Sequence, residues 1–183
     1  MNDMRTLIAA PKTEVKELMF LISPNQGVTS DVRVLKDDVH YLTGKRFESQ
    51  DSKAHITLFT DRYKETEIER VLAVIEERLQ NFNAFEVIIK DFGVFHHGSN
   101  RTIYMDIVNK YRIRDIFESI KNTEDNFTPH ITIAKNLPAE DFLKCGPYFK
   151  SLHYSQHFRC ERITVLSKSG KRWGLYKEIM LNV

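Results

Sequence analysis

The chain has 183 residues, the size of one ordinary domain, and its 42% apolar and 28% charged residues are typical of a soluble globular protein. Its net charge of +2 suits an anionic substrate but excludes the strongly basic surface of a protein that coats nucleic acid. Two cysteines cannot build a disulfide framework, and no apolar run approaches the roughly 18–20 residues that span a membrane. These features predict a single domain over residues 1–183 in the cytoplasm, with no membrane contact and no obligate protein partner.

The first half of the chain predicts strand, helix, strand and helix in that order. An apolar run at residues 18–22 predicts a buried strand, and the next helix is expected to be capped by Thr29 or Ser30 and to end at Gly44. Alternating residues 54–59 predict a second strand. A helix with one apolar stripe follows, and its stripe contains Ile68, Val71, Leu72, Ile75 and Leu79.

The second half predicts two strands, at residues 85–95 and 102–108, joined by a loop that contains His96 and His97. A short helix at residues 112–121 precedes a strand at 129–134, and another helix is expected to begin near Pro138. The chain is expected to end in a hairpin over residues 162–166 and 173–181, turning at Ser169-Gly170. The fold class is therefore mixed α+β.

A tetrapeptide repeats within this order. His-Ile-Thr-Leu begins at His55, and His-Ile-Thr-Ile begins 75 residues later at His130. After each copy come a helix, a strand that contains Phe85 or Phe158, and a hairpin strand that begins beside Arg101 or Arg172, at offsets of 73 and 71 residues. The repeat predicts two pseudo-symmetric lobes around a central groove, each an antiparallel sheet with flanking helices.

The two repeated strands carry residues suited to phosphate chemistry. Strand alternation places His55 with Thr57, and His130 with Thr132, on faces opposite to the intervening isoleucines. Imidazole exchanges protons near neutral pH, so two histidines on opposite sides of a phosphorus can serve as general base and general acid. The threonine hydroxyls can donate to phosphate oxygens and hold the group in line. The pattern predicts His55 and His130 as the catalytic pair, without deciding which is the acid, and Thr57 and Thr132 as phosphate-binding residues.

These motifs resemble those of the 2H phosphoesterases, in particular the group called 2′-5′ RNA ligase or RNA 2′,3′-cyclic phosphodiesterase. Residues 127–135 are similar to the family's second motif, and residues 54–59 are similar to its first, with Ala54 in place of a proline. Residues 91–95 with 101–104 are similar to the family's central hairpin, and residues 166–176 to its ending. The resemblance extends over residues 17–183.

The resemblance implies a two-lobed fold whose paired strands line a groove. It implies as substrate an RNA terminus or a small nucleotide with a 2′,3′-cyclic phosphate or a 2′-5′ bond, and hydrolysis of the cyclic phosphate to a 2′-phosphate. We expect no metal and no cofactor. Four further residues are candidates for substrate binding: Lys135 and Arg101 for phosphate, and Tyr104 and Tyr176 for a base.

Two other functions remain open. A non-catalytic module that binds RNA ends or nucleotides would use the same groove, but binding alone does not require two titratable groups. A metal-dependent hydrolase would combine His55 and His130 with His96 and His97, which we expect instead to be solvated loop residues.

Overall fold

The computed structural model describes residues 14–123 and 126–183. Within these residues, eight strands and four helices follow one another along the chain. They are β1 (Val15–Ile22), α1 (Gln26–Thr43), β2 (Ile56–Lys64), α2 (Glu65–Leu79), β3 (Phe85–His97), β4 (Asn100–Ile107), α3 (Lys110–Lys121), β5 (His130–Leu137), α4 (Ala139–Ser151), β6 (Ser155–Cys160), β7 (Arg162–Ser169) and β8 (Arg172–Met180).

The described strands form two four-stranded sheets, ordered β2-β1-β7-β8 and β5-β4-β3-β6. Every neighbouring pair is antiparallel. Helices α2 and α3 pack together beside the first sheet, and α1 and α4 pack together beside the second. The predicted α+β class with two pseudo-symmetric lobes is confirmed.

The internal repeat begins earlier in the chain than the sequence predicts. The equivalent units are β1-α1-β2-α2 and β4-α3-β5-α4, because β1 and β4 hold the same position beside the repeated His-Ile-Thr strands. Each sheet is completed by a strand from the other half of the chain, β7 beside β1 and β3 beside β4. The predicted equivalence of β4 with β8 is therefore wrong, since β4 is central in its sheet and β8 is an edge strand.

One hydrophobic core spans both sheets and explains the alternation seen in the sequence. Ile56 and Leu58 of β2 are buried in it, as are Ile131 and Ile133 of β5. Burial of one face of each strand stabilises the fold and leaves the other face available to line a groove.

Two predicted boundaries are wrong for local reasons. Helix α1 begins at Gln26 because the Asn25 side chain accepts a hydrogen bond from the Val28 amide at 2.9 Å, so the predicted caps Thr29 and Ser30 lie inside its first turns. Strand β3 extends through His97, so the two adjacent histidines lie on a strand and not in a loop. None of the helices in the described residues is long and apolar enough to cross a membrane.

Candidate active site

The repeated motifs meet at the seam between the two sheets. β2 and β5 are each the edge strand of a sheet, and the two strands lie against one another. His55 directly precedes β2, and His130 is the first residue of β5. Both imidazoles are half-buried. The fold thus brings together two histidines that are 75 residues apart in the sequence.

Each imidazole is held by the same hydrogen bond. Nδ1 of His55 lies 2.7 Å from the carbonyl oxygen of Lys53, and Nδ1 of His130 lies 2.7 Å from the carbonyl oxygen of Thr128. A carbonyl only accepts, so Nδ1 must carry the proton in both rings. Neither Nε2 has a hydrogen-bond partner among residues 14–123 and 126–183. In the neutral tautomer each Nε2 therefore presents a free lone pair.

The surroundings favour the neutral form of both histidines. Burial lowers the pKa of His55 below 6.5. The hydrogen bond to the Lys53 carbonyl raises this pKa, and the positive charge of Lys36 lowers it. Burial also lowers the pKa of His130 below 6.5, and a positive charge on His55 lowers it further. The hydrogen bond to the Thr128 carbonyl and the negative charge of Asp106 both raise the pKa of His130, but by less. A positive charge on His55 therefore disfavours protonation of His130.

Thr57 and Thr132 lie one strand repeat beyond the histidines, on the same faces. Both are half-buried, unlike the buried aliphatic residues that flank them. Neither hydroxyl makes a hydrogen bond to a described residue. Each motif therefore presents one imidazole and one uncommitted hydroxyl, which together can bind and polarise an oxyanion.

An aromatic wall, formed by Phe95 and Tyr104, stands beside His130. Their rings stack with centroids 4.2 Å apart. The His130 ring contacts both edge-on, at 4.9 Å from Phe95 and 5.3 Å from Tyr104. Tyr104 is one of the four residues predicted to bind substrate, and it is the one among them that contacts a motif histidine.

The aromatic wall belongs to one lobe alone. Tyr104 pairs with Thr132 in the second sheet, and Leu21 pairs with Thr57 in the first. Leu21 is buried and Tyr104 is half-buried. The surroundings of the two motifs are therefore asymmetric, with a half-exposed aromatic surface on the side of His130.

Of the other three predicted substrate-binding residues, two are paired elsewhere and one lies on an edge strand. Arg101 donates to the carbonyl oxygens of Gly98 and Asn100 at 2.8 and 2.9 Å, in the β3–β4 turn. Lys135 forms an ion pair with Glu48 at 3.2 Å. Tyr176 lies on the edge strand β8 and is 41% exposed. No contact joins these three side chains to the two imidazoles in the described residues.

His96 and His97 are exposed at the end of β3. Among the residues that the structure describes, no group of three or more histidine, cysteine, aspartate or glutamate side chains is placed to hold a metal ion.

The family model of the 2′-5′ RNA ligase superfamily matches residues 32–172, well over half of the chain and including both motifs. The chain belongs to this superfamily. The predicted resemblance is thereby confirmed. No curated protein shows significant sequence similarity to the chain.

Solved structures show that the chain shares its fold with several known proteins. Escherichia coli LigT in complex with phosphate has a TM-score of 0.61 at 13% identity, over 93% of this chain and 99% of that chain. TT0787 of Thermus thermophilus has a TM-score of 0.66 at 15% identity, over 90% and 97%. Usb1 of Kluyveromyces marxianus has a TM-score of 0.55 at 10% identity, over 91% and 98%.

In this superfamily member, the sequence did not reveal two neighbours of His130. Asp106 lies directly opposite His130 in the pairing of β4 with β5, and its carboxylate is 2.7 Å from the Lys110 ammonium. Phe95 reaches His130 from β3, across β4. The position of Asp106 could have been predicted from strand alternation, because Asp106 lies two residues after Tyr104 on β4 and therefore on the same face. No local signal distinguished Phe95 from a core residue.

Replacing Gly93 by alanine is expected to displace the aromatic wall. Gly93 pairs with Tyr104, and a Cβ at this position would collide with Cζ of the tyrosine ring and lie 2.7 Å from its Cε2. The ring must then move away from His130. We expect at least a tenfold loss of kcat/KM for any substrate that is turned over beside His130, because misplacement of about 1 Å can cost about 10²-fold.

Circular dichroism should show that the Gly93→Ala protein is folded. Gly174 provides a matched control, since it lies on β8 in the other sheet and a Cβ there meets nothing within 4 Å. Equal loss of activity in Gly93→Ala and Gly174→Ala would contradict a specific role for the Tyr104 position.

Proposed function

We propose that this chain is a metal-independent phosphodiesterase that hydrolyses a 2′,3′-cyclic phosphate or a 2′-5′ phosphodiester in RNA ends or small nucleotides. The observation that carries the proposal is the matched pair of imidazoles. Each has its Nδ1 proton committed to a carbonyl two residues upstream, and each has an unpartnered Nε2 among the described residues. Such a pair can take a proton at one Nε2 and deliver one from the other.

Hydrolysis of a cyclic phosphate needs one proton removed and one supplied. In the proposed reaction, the neutral imidazole takes a proton from water as its oxygen bonds to phosphorus. The bond from phosphorus to the 3′-oxygen breaks, and the imidazolium protonates that oxygen. The product is a 2′-phosphate with a free 3′-hydroxyl, and the two histidines have exchanged protonation states.

The charges around the two rings support one assignment of these roles. The positive charge of Lys36 disfavours protonation of His55, whereas the negative charge of Asp106 favours protonation of His130. We propose His55 as the base and His130 as the acid for hydrolysis. The hydroxyls of Thr57 and Thr132 would donate to the non-bridging oxygens while charge shifts onto them.

The substrate class is supported by the aromatic wall and by the relatives. Solved structures of Escherichia coli LigT contain phosphate, 3′-AMP, ATP or NADP⁺. Tyr104 offers a flat surface for a base next to His130, and such stacking contributes about 1–3 kcal/mol per base. Binding of substrate by Arg101, Lys135 and Tyr176 stays a prediction.

The proposal also covers the organisation and location of the protein. A core that spans both sheets supports action as one two-lobed domain over residues 1–183. Cys145 and Cys160 are both buried free thiols, which agrees with the reducing environment of the cytoplasm.

The dependence of rate on pH is expected to be bell-shaped with its maximum on the acid side of neutrality. The pKa values of both histidines are lowered below 6.5, so at pH 7 the general acid of the free enzyme is largely deprotonated. Raising the pH removes the proton that the acid must donate, and lowering it protonates the base. Measurement of kcat/KM from about pH 4.5 to about pH 8.5 tests this expectation, and an optimum above about pH 8 would contradict it.

A panel of matched oligoribonucleotides tests the reaction class. One ends in a 2′,3′-cyclic phosphate, one contains a single 2′-5′ bond, and one contains only 3′-5′ bonds. With EDTA present, the proposal predicts cleavage of the first or second and none of the third. Binding of all three without turnover would favour the non-catalytic module. Activity that vanishes in EDTA and returns with Zn²⁺ or Mn²⁺ would favour the metal-dependent hydrolase.

A further inference from the structure

A buried lysine holds the segment of chain that leads into the first motif. Lys36 lies on the apolar stripe of α1 and is 2% exposed. Its ammonium donates to the carbonyl oxygens of Ser49 and Ser52 at 2.6 and 2.7 Å, and to the Ser52 hydroxyl at 2.8 Å. Three short hydrogen bonds satisfy all three ammonium protons and fix this segment against the helix.

The held segment links the two catalytic strands. The Ser49 hydroxyl accepts a hydrogen bond from the Lys135 amide at 2.9 Å and lies 3.4 Å from the carbonyl oxygen of Ile133, both on β5. At its other end, the carbonyl oxygen of Lys53 holds Nδ1 of His55. Lys36 therefore holds residues 49–53, which contact the strand of His130 at one end and bind the His55 ring at the other.

The second half of the chain repeats the arrangement with another cation. Arg114 of α3 donates from Nε to the carbonyl oxygen of Phe127 at 2.9 Å. Phe127 stands three residues before His130, as Ser52 stands three residues before His55. In both halves the carbonyl that follows, two residues before the histidine, then accepts the imidazole Nδ1 proton. The segments α1–β2 and α3–β5 therefore share one arrangement, in which a helix cation binds the carbonyl three residues before the histidine.

We propose that Lys36 and Arg114 are paired positioning residues. Each cation, carried by the helix before a motif, holds the carbonyl three residues before the catalytic histidine and so fixes the ring that follows. This role rests on the proposed function for its effect on turnover, but its effect on the imidazoles is independent of any substrate.

The charge of Lys36 persists at neutral pH. Burial lowers the pKa of Lys36 to about 8, although the negative charge of Asp51 raises it slightly. The charge at this site also lowers the pKa of His55. A separate cleft lies between α1 and residues 46–54. The charged residues that line it beside Lys36 are Arg33, Asp37, Arg46, Asp51 and Lys53.

The test replaces each cation by methionine and observes the imidazoles by ¹⁵N nuclear magnetic resonance. In the wild type both histidines should show the tautomer with the proton on Nδ1. Lys36→Met should mix the tautomers of His55 and raise its pKa toward 6.5, and Arg114→Met should mix the tautomers of His130. Arg33→Met and Arg112→Met are matched controls, because each removes an exposed cation from the same helix.

Turnover provides the second measurement. We expect kcat to fall by about 10–10²-fold in each variant with a smaller change in KM, as for misplaced catalytic groups. Lys36→Arg and Arg114→Lys should restore part of the loss. Tautomers and pKa values equal to those of the controls in folded variants would overturn the proposal. An altered tautomer without any turnover in the wild type would uphold it and reject the phosphodiesterase function.

Arg114 keeps the test decisive if Lys36→Met does not fold. Arg114 is half-buried and donates one hydrogen bond from Nε, so its replacement disturbs the core less. Ser49→Ala provides a further variant, since it removes the link to β5 and leaves Lys36 in place. Unchanged kcat in both Ser49→Ala and Arg114→Met would overturn the proposal.

Discussion

Replacing His130 by alanine is expected to lower kcat by about 10²–10⁴-fold, because in the proposed reaction His130 protonates the leaving oxygen. His55→Ala should cause a loss of similar size, since it removes the proposed base. The double variant should be little worse than either single variant, because acid and base act in one step and their effects do not add. Initial rates on the preferred oligonucleotide, under saturating conditions, give the three values.

The expected loss is specific to the two motif histidines. His157 is exposed on β6 and serves as a matched control, so His157→Ala should retain wild-type activity. The variants His55→Asn and His130→Asn separate structure from chemistry, because an asparagine amide can replace the donor at Nδ1 but cannot exchange protons. A folded His130→Ala protein with full activity would end the proposed mechanism.

Replacing Thr132 or Thr57 by alanine is expected to cost about 2.7–4 kcal/mol of transition-state stabilisation, or about 10²–10³-fold in kcat, if the hydroxyls act as oxyanion donors. Both hydroxyls are free of hydrogen bonds to described residues, so their removal leaves no buried partner unsatisfied. The effect should therefore appear in kcat with little change in the free energy of unfolding. Urea denaturation of the same samples measures the second quantity.

The conservative variants test whether the hydroxyl itself matters. Thr57→Ser and Thr132→Ser keep the donor and should retain most of the activity. Thr66→Ala is a control on the exposed face of α2 and should behave as the wild type. A serine variant as poor as the alanine variant would indicate that the threonine methyl group, and not the hydroxyl, is required.

The sequence predicted the part of the site that strand geometry determines. Alternation alone places His55 with Thr57 and His130 with Thr132 on faces opposite to the buried isoleucines, and the burial of Ile56 and Ile131 agrees with this. Family resemblance then predicted that the two strands meet. This alternation can be read from neighbouring residues, because successive side chains of a strand point to opposite faces and burial of one face fixes which residues point inward.

Contacts between distant segments could not be predicted in the same way. The exchange of β3 and β7 between the sheets depends on which edge each strand joins, and strand sequences do not encode this directly. Phe95 reaches His130 across β4, and Gly93 matters because Tyr104 lies over it. Such contacts arise from register, which a single bulge in β3 between Ile89 and Phe92 shifts.

Lys36 shows a signal that the sequence did carry. It occupies the same helical stripe as Val32, Leu35 and Val39, where an unpaired lysine would be costly. A charge on an apolar stripe indicates a buried partner, but the partners are carbonyls of Ser49 and Ser52, and any residue has a carbonyl. The chemistry of the position could thus be predicted, and its contacts could not.

The most direct test of the paired-histidine mechanism is hydrolysis of an oligoribonucleotide that ends in a 2′,3′-cyclic phosphate, in the presence of EDTA. The wild type and the His55→Ala/His130→Ala double variant are compared, and the terminal phosphate of the product is identified by mass spectrometry and phosphorus resonance. We predict turnover to a 2′-phosphate by the wild type alone. Equal turnover by the folded double variant, or turnover by the wild type only after a divalent metal is restored, would contradict the mechanism.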